Sequence, residues 1–170
     1  PKFHEKSTLL LYTVIKITAE GNDADSAIDE IFSHTKDLAV DFDNKENGDI
    51  ARLNAAPSGE DVPLSENTWH ILSVADKYAR ATDGAFTANI GALSSLWNIG
   101  KKTARIPSDE EITRASYLAD YRRLHFRESD MSAMRDDDGV KLHLGGFAKG
   151  FIADEARKIL ERRGVKNALI

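Results

Sequence analysis

The run Leu142-His143-Leu144-Gly145-Gly146-Phe147-Ala148-Lys149-Gly150, leading straight into Phe151-Ile152-Ala153-Asp154, constrains the fold more than any other stretch of the chain. An apolar approach of strand type meets a turn of small residues. A lysine then stands one residue before a helical pattern with apolar positions at Ile152, Ala156, Ile159 and Leu160. Glycines permit a tight turn and close backbone approach, and the unpaired amides and dipole of a helix N-terminus attract an anion. Such a turn serves equally as a packing device between strand and helix, so by itself it leaves both readings open.

The rest of the chain supplies mixed elements. Leu9 to Ala19 is apolar and β-branched and predicts a strand, closed by Glu20-Gly21-Asn22-Asp23. Ile28, Ile31, Phe32, Thr35 and Leu38 recur at helical spacing, with Asp23 or Asp25 suited to the first turn. Residues 41–48 are polar and predict a surface loop, and Pro57 to Pro63 a connector. A second helix is expected from Ser65 to Ala81, with Trp69, Leu72, Ala75, Tyr78 and Ala79 on one face. Ser108 and Glu111 form a capping-box pattern for a short helix through Ala119. Short strands are expected at His125-Phe126-Arg127, Met131 to Met134 and Val140 to Leu144, with a turn at Asp136-Asp137-Asp138-Gly139. Strands and helices without regular alternation predict an α+β fold.

Two further blocks lie upstream of the glycine turn: Asp49-Ile50-Ala51-Arg52-Leu53-Asn54, and Asp83-Gly84-Ala85-Phe86 followed by Gly91-Ala92-Leu93, Leu96-Trp97 and Gly100. In order and spacing the three blocks resemble the FAD:protein FMN transferase family, the ApbE-like proteins formerly called thiamine biosynthesis lipoproteins. The resemblance runs from about Thr8 to Ile170, with Leu11-Tyr12-Thr13-Val14 at the family's opening strand. It implies an ApbE-like fold of which residues 1–170 are the N-terminal part, the C-terminal half being absent. It also implies Mg²⁺-dependent transfer of FMN from FAD to a threonine or serine hydroxyl of an acceptor protein. Leu11, Asn44, Ala85, Phe86, Thr87, His143 and Lys149 match positions that meet FAD, and Gly146 matches one whose backbone carbonyl helps hold Mg²⁺. The family's other metal ligands have no counterpart in this chain.

Four of these positions depart from the family letters. Leu11 replaces a methionine, Asn44 a tyrosine, Thr87 an aspartate and His143 an aspartate. His143 is either a phosphate contact when protonated or a packed histidine ending a strand. Phe86 lies either against a ligand ring or in the core. Trp97 is expected in the core, Asp154 near the dipole of its own helix, and Asp49, Arg52 and Asn54 in a structural turn without chemistry. Two further readings accompany the transferase: a flavin- or partner-binding relative without activity, and hydrolysis of FAD to FMN and AMP.

Composition narrows the partners. A formal charge of −5 and a pI near 5.5 argue against nucleic acid. No apolar run reaches the roughly 18 residues that span a bilayer. The absence of cysteine removes disulfides and thiolate metal sites. The family's habit and a first residue of proline give the expectation of an exported, cell-envelope lipoprotein with its anchor removed. An apolar strand starting at Val165 gives that of a chain that continues past Ile170.

Overall fold

A computed structural model describes residues 2–44 and 47–170 as two compact units, Pro1–Val40 with Ala148–Ile170, and Asp41–Phe147. The elements mix helices with two small sheets, an α+β fold.

In the first unit, β1 (Phe3–Leu10) and β2 (Thr13–Glu20) form an antiparallel hairpin in the register Leu9↔Val14, Leu10↔Thr13. Sequence reading predicts one strand here. The chain instead reverses at Leu11 and Tyr12, whose φ angles of 50° and 59° are both left-handed. That is the pattern of a type I′ turn, which normally recruits Asn-Gly. With neither residue present the turn carries no sequence signal.

Helix α1 (Ala24–Phe42) and, from the far end of the chain, α6 (Ala148–Arg162) bury one sheet face. Ile17 and Ala19 of β2 meet Ala27, Ile28 and Ile31 of α1 and Ala156, Ile159 and Leu160 of α6. The apolar spacing predicted in both helices is therefore the spacing that is buried. Gly164, at φ 71°, closes α6 as a left-handed cap, with Val165 N donating to Leu160 O at 2.9 Å. A short β6 (Ala168–Leu169) pairs with β2.

The second unit holds α2 (Asp49–Ala55), β3 (Val62–Pro63), α3 (Glu66–Ala81), α4 (Gly91–Trp97), α5 (Asp109–Leu118), β4 (Leu124–Arg127) and β5 (Ser132–Arg135), with sheet order β3-β5-β4. Helix α3 is capped by Ser65, and the Ser108–Glu111 capping box of α5 forms as predicted. The Glu111 carboxyl, bonded first by Arg105 and then by the Ser108 amide, titrates at about 2. Tyr78 does not join the buried face of α3; it is 54% exposed, and Ile71 takes the interior place.

Three expectations are overturned. Residues 41–48 are not all loop, because α1 continues to Phe42; Lys45 and Glu46 lie outside the described residues. Asp49 to Ala55 is a helix rather than a turn. Val140 to Leu144 is extended but not a strand, and its one β-bridge among the described residues is parallel, between Ile90 and Lys141. Its alternation is real: Val140, Leu142 and Leu144 are buried while Lys141 and His143 face outward.

Arg135 organises this unit. Its side chain is 2% exposed. The guanidinium donates to Leu53 O at 2.7 Å and to Ala56 O at the end of α2, and to Val140 O at 2.7 Å and Asp138 O at 3.1 Å beyond β5. At the other end of α2, the buried Asp49 carboxylate accepts from the Ser65 amide at 2.6 Å and from Arg52. Burial pushes the Asp49 pKa up. The Ser65 amide, the Thr68 hydroxyl and Arg52 outweigh it and hold the carboxyl below its ordinary range.

Arg135→Met would leave several buried carbonyls without donors, and a loss of about 3 kcal/mol is expected in urea unfolding. Asp49 gives a pH signature. Its carboxyl is ionised in both states at neutral pH, and on acidification the unfolded form protonates first, at about 3.9. Its stabilisation is therefore present above that pH and is lost as the pH falls through the lower folded pKa. The urea midpoint should fall more steeply below about pH 5 in the native protein than in Asp49→Asn, and equal slopes would remove Asp49 from the account.

Candidate functional site

In the second unit the site is built where two loops meet. After α3 the chain turns through Asp83 (φ 50°) and Gly84 (φ 80°), with Gly84 N donating to Ala79 O at 2.8 Å. Ala85, Phe86 and Thr87 follow. The Phe86 amide donates to the Thr82 hydroxyl at 3.2 Å, and the Asn89 amide to the Thr87 hydroxyl at 3.1 Å. Asn89 is 1% exposed and donates to Asp120 O at 2.8 Å, which fixes the end of the loop. His143 N donates to Ala88 O at 2.8 Å, joining this loop to the glycine turn.

The aromatic and glycine positions explain one another. The Phe86 and Phe147 ring centroids lie 4.2 Å apart. A Cβ at Gly146 would come within 3.2 Å of the Phe86 ring, so glycine there permits the approach. Phe86 is 39% exposed and is not core. His143 is exposed too, which removes the packed reading. The Gly145 amide donates to His143 Nδ1 at 3.2 Å, so the neutral ring carries its proton on Nε2. A Cβ on Gly145 would lie 2.6 Å from His143 Cε1. Thus Ala85, Phe86, Thr87, His143 and Gly146 are brought together, whereas Trp97 is only half-buried.

Beside them opens a cleft of about 370 Å³ whose polar walls are Asn44, Asn54, Ser95, Lys141 and His143. Sequence reading gave Asn54 no chemistry and passed over Lys141. The Asn54 amide accepts from Leu142 N at 2.7 Å and donates to Leu142 O at 3.0 Å, standing in for a neighbouring strand. The Lys141 amine donates to Asn54 O at 2.6 Å. Burial, then the Arg135 charge, lower the Lys141 pKa, against the opposing pull of Asp138. No sequence signal marks these roles, because each depends on partners more than 80 positions away.

Leu11 and Lys149 belong to the first unit. They line a pocket of about 210 Å³ with Val14, Ile15, Lys16 and Ile152, mostly apolar. Lys149 is exposed and lies within the first turn of α6, which begins one residue earlier than Lys149 rather than after it. Among the described residues no three His, Asp or Glu side chains cluster to hold a metal ion. The Gly146 carbonyl by itself does not make a magnesium site.

Comparison with known proteins bears on this geometry. The model of the ApbE family matches residues 11–170. A Treponema pallidum protein named FAD:protein FMN transferase is 28% identical over 151 residues, covering 85% of this chain and 42% of that protein. A Klebsiella pneumoniae protein of the same name is 29% identical over 127 residues, covering 75% and 40%. The chain thus spans about four-tenths of the length of these relatives. Among solved structures, the ApbE protein of Thermotoga maritima superposes with a TM-score of 0.88 at 29% identity, covering 98% of this chain and 55% of that one. The flavin transferase ApbE of Vibrio cholerae gives 0.89 at 20% identity, which shows the shared fold.

The junction beneath the cleft is testable without ligand. Gly91 N donates to Lys141 O at 2.8 Å, and a Cβ at Gly91 would lie 2.5 Å from that oxygen. Gly91→Ala should cost about 2 kcal/mol or more in urea unfolding. Gly150→Ala, in α6 with nothing within 4 Å of the new methyl, should instead stabilise by about 1 kcal/mol.

Proposed function

The chain belongs to the ApbE family, and from that premise we propose that it forms the flavin-nucleotide-binding part of an FAD:protein FMN transferase. The observation that carries this reading is the meeting of Ala85, Phe86 and Thr87 with His143 and Gly146 through the His143–Ala88 hydrogen bond and the Phe86–Gly146 approach. The chain spans about four-tenths of the length of the relatives that carry this name, so the activity proposed is that of a protein of their length.

The reaction is attack by an acceptor-protein hydroxyl on the FMN-side phosphorus of FAD. The new P–O bond leaves FMN in phosphoester linkage, the P–O bond of the diphosphate breaks, the hydroxyl proton departs and AMP leaves. Phosphorus transfer of this kind depends on positioning and charge neutralisation. Phe86 offers a half-exposed ring face for stacking. Lys149, in the first turn of α6, adds a point charge to the dipole of the helix N-terminus. His143 presents its Nε2 proton as a donor. Mg²⁺, where bound, would neutralise diphosphate charge, with the Gly146 carbonyl as one oxygen ligand among others supplied from outside these residues.

The altered side chains at Leu11, Asn44, Thr87 and His143 favour, as the second reading, a flavin-binding relative without transfer. One experiment separates the possibilities. The full-length protein that contains these residues is incubated with FAD, Mg²⁺ and a threonine- or serine-bearing acceptor, and both the modified acceptor and AMP are measured. Modified acceptor with matching AMP is expected. AMP without acceptor means hydrolysis, FAD bound without AMP means the binding relative, and no FAD binding removes the proposal. Phe86→Ala should weaken FAD binding about tenfold, and unchanged affinity would take Phe86 out of the site.

A further inference from the structure

We propose that Lys141 is an anion-binding residue of the cleft in the second unit, where its ammonium meets the phosphate oxygens of the bound nucleotide. The proposal deepens the flavin-nucleotide reading and rests on it for the identity of the ligand, but not for the presence of an anion.

Lys141 sits on the outward face of the extended segment that follows the Asp136–Gly139 turn, on the same side as His143. Its backbone is held on both sides. Gly91 N bonds its carbonyl at 2.8 Å, and the Asn54 amide clamps the next residue, Leu142, at 2.7 and 3.0 Å. The side chain is half-buried at the cleft wall, and among the described residues its amine bonds one group, the Asn54 carbonyl oxygen at 2.6 Å. An ammonium has three donors. Two remain.

The charge balance points the same way. Ammonium groups withdrawn from water are ordinarily paired with a carboxylate. Among the described residues no salt bridge reaches Lys141. Nearby stands Arg135, a second cation, which is 2% exposed and, among the described residues, bonded to carbonyl oxygens alone. Asp138 acts on both cations only through its longer-range field. Lys141 therefore brings to the cleft wall a positive charge that no described carboxylate neutralises by contact, with the Arg135 charge acting on it from the interior. Asn44, Ser95 and His143 line the same cleft with neutral hydrogen-bonding groups. A free ammonium beside neutral donors suits a phosphate ester or diphosphate, as a point charge whose contact does not depend on one fixed geometry.

The test uses Lys141→Met, which keeps most of the stem and removes the charge, and Lys141→Arg, which keeps the charge. Binding of FAD, of riboflavin, which carries no phosphate, and of inorganic pyrophosphate is measured for the native protein and both variants, alongside melting temperature. The expected result is a loss of tenfold or more in FAD and pyrophosphate affinity in Lys141→Met. Riboflavin affinity and melting temperature should not change, and Lys141→Arg should recover part of the loss. Native FAD affinity in Lys141→Met overturns the proposal and leaves the flavin reading standing. Equal losses for FAD and riboflavin also overturn it, since Lys141 would then only shape the cleft. Lys141-dependent binding of pyrophosphate without FAD binding keeps the anion site and overturns the flavin reading. Binding of neither probe by the native protein overturns both.

Discussion

The second unit depends on one buried guanidinium. Among the described residues Arg135 has no carboxylate partner in contact; its charge is spread over the carbonyl oxygens that α2 leaves unpaired at its C-terminal end and over those of the turn after β5. Terminal carbonyls carry the negative end of a helix dipole, so a cation is well placed among them. Burial lowers the pKa of Arg135. A guanidinium tolerates this because its protonation is so strongly favoured. The consequence is geometric: α2 and the Val140–Leu144 segment are held by the same side chain, and Asn54, Lys141 and His143 follow from that one tie. Remove the guanidinium and both walls of the cleft lose their common anchor.

Elements with local reasons to exist were legible in the sequence. Helix α3 has its Ser65 cap and α5 its Ser108–Glu111 box. Helix α6 has an apolar stripe ending in Gly164, so its interior could be read from the sequence and only its first residue shifts. Elements made by tertiary partners were not. Helix α2 is seven residues long and starts at Gly48 without a side-chain cap. Helix α4 starts at a glycine chosen for its closeness to the Lys141 carbonyl, not for helix formation. The β1–β2 turn uses Leu11 and Tyr12 in a conformation that bulky residues avoid. Val140 to Leu144 alternates as a strand does, yet the Asn54 side chain takes the place of a neighbouring strand and prevents a ladder.

The candidate site divides in the same way. Gly145 and Gly146 announce a close approach, and the structure names the groups that approach, the His143 ring and the Phe86 ring. What the glycines could not announce is the cleft beside them. Lys141 looks in the sequence like any solvated lysine between apolar residues. Its meaning comes from Asn54 and Arg135, neither of which is adjacent to it in the chain.

Net charge misleads in this setting. The chain carries −5 overall, which predicts indifference or repulsion toward anions at long range. A cleft wall responds instead to the few charges around it, and those are Lys141 and the buried Arg135, with Asp137 and Asp138 acting at longer range. The substitution at position 143 matters for that field. Position 143 shares the outward face of the segment with Lys141. An imidazole whose Nδ1 accepts from the Gly145 amide brings no carboxylate to that face. Among the described residues Lys141 then has no carboxylate in contact, and an anionic ligand is the partner proposed for such a charge.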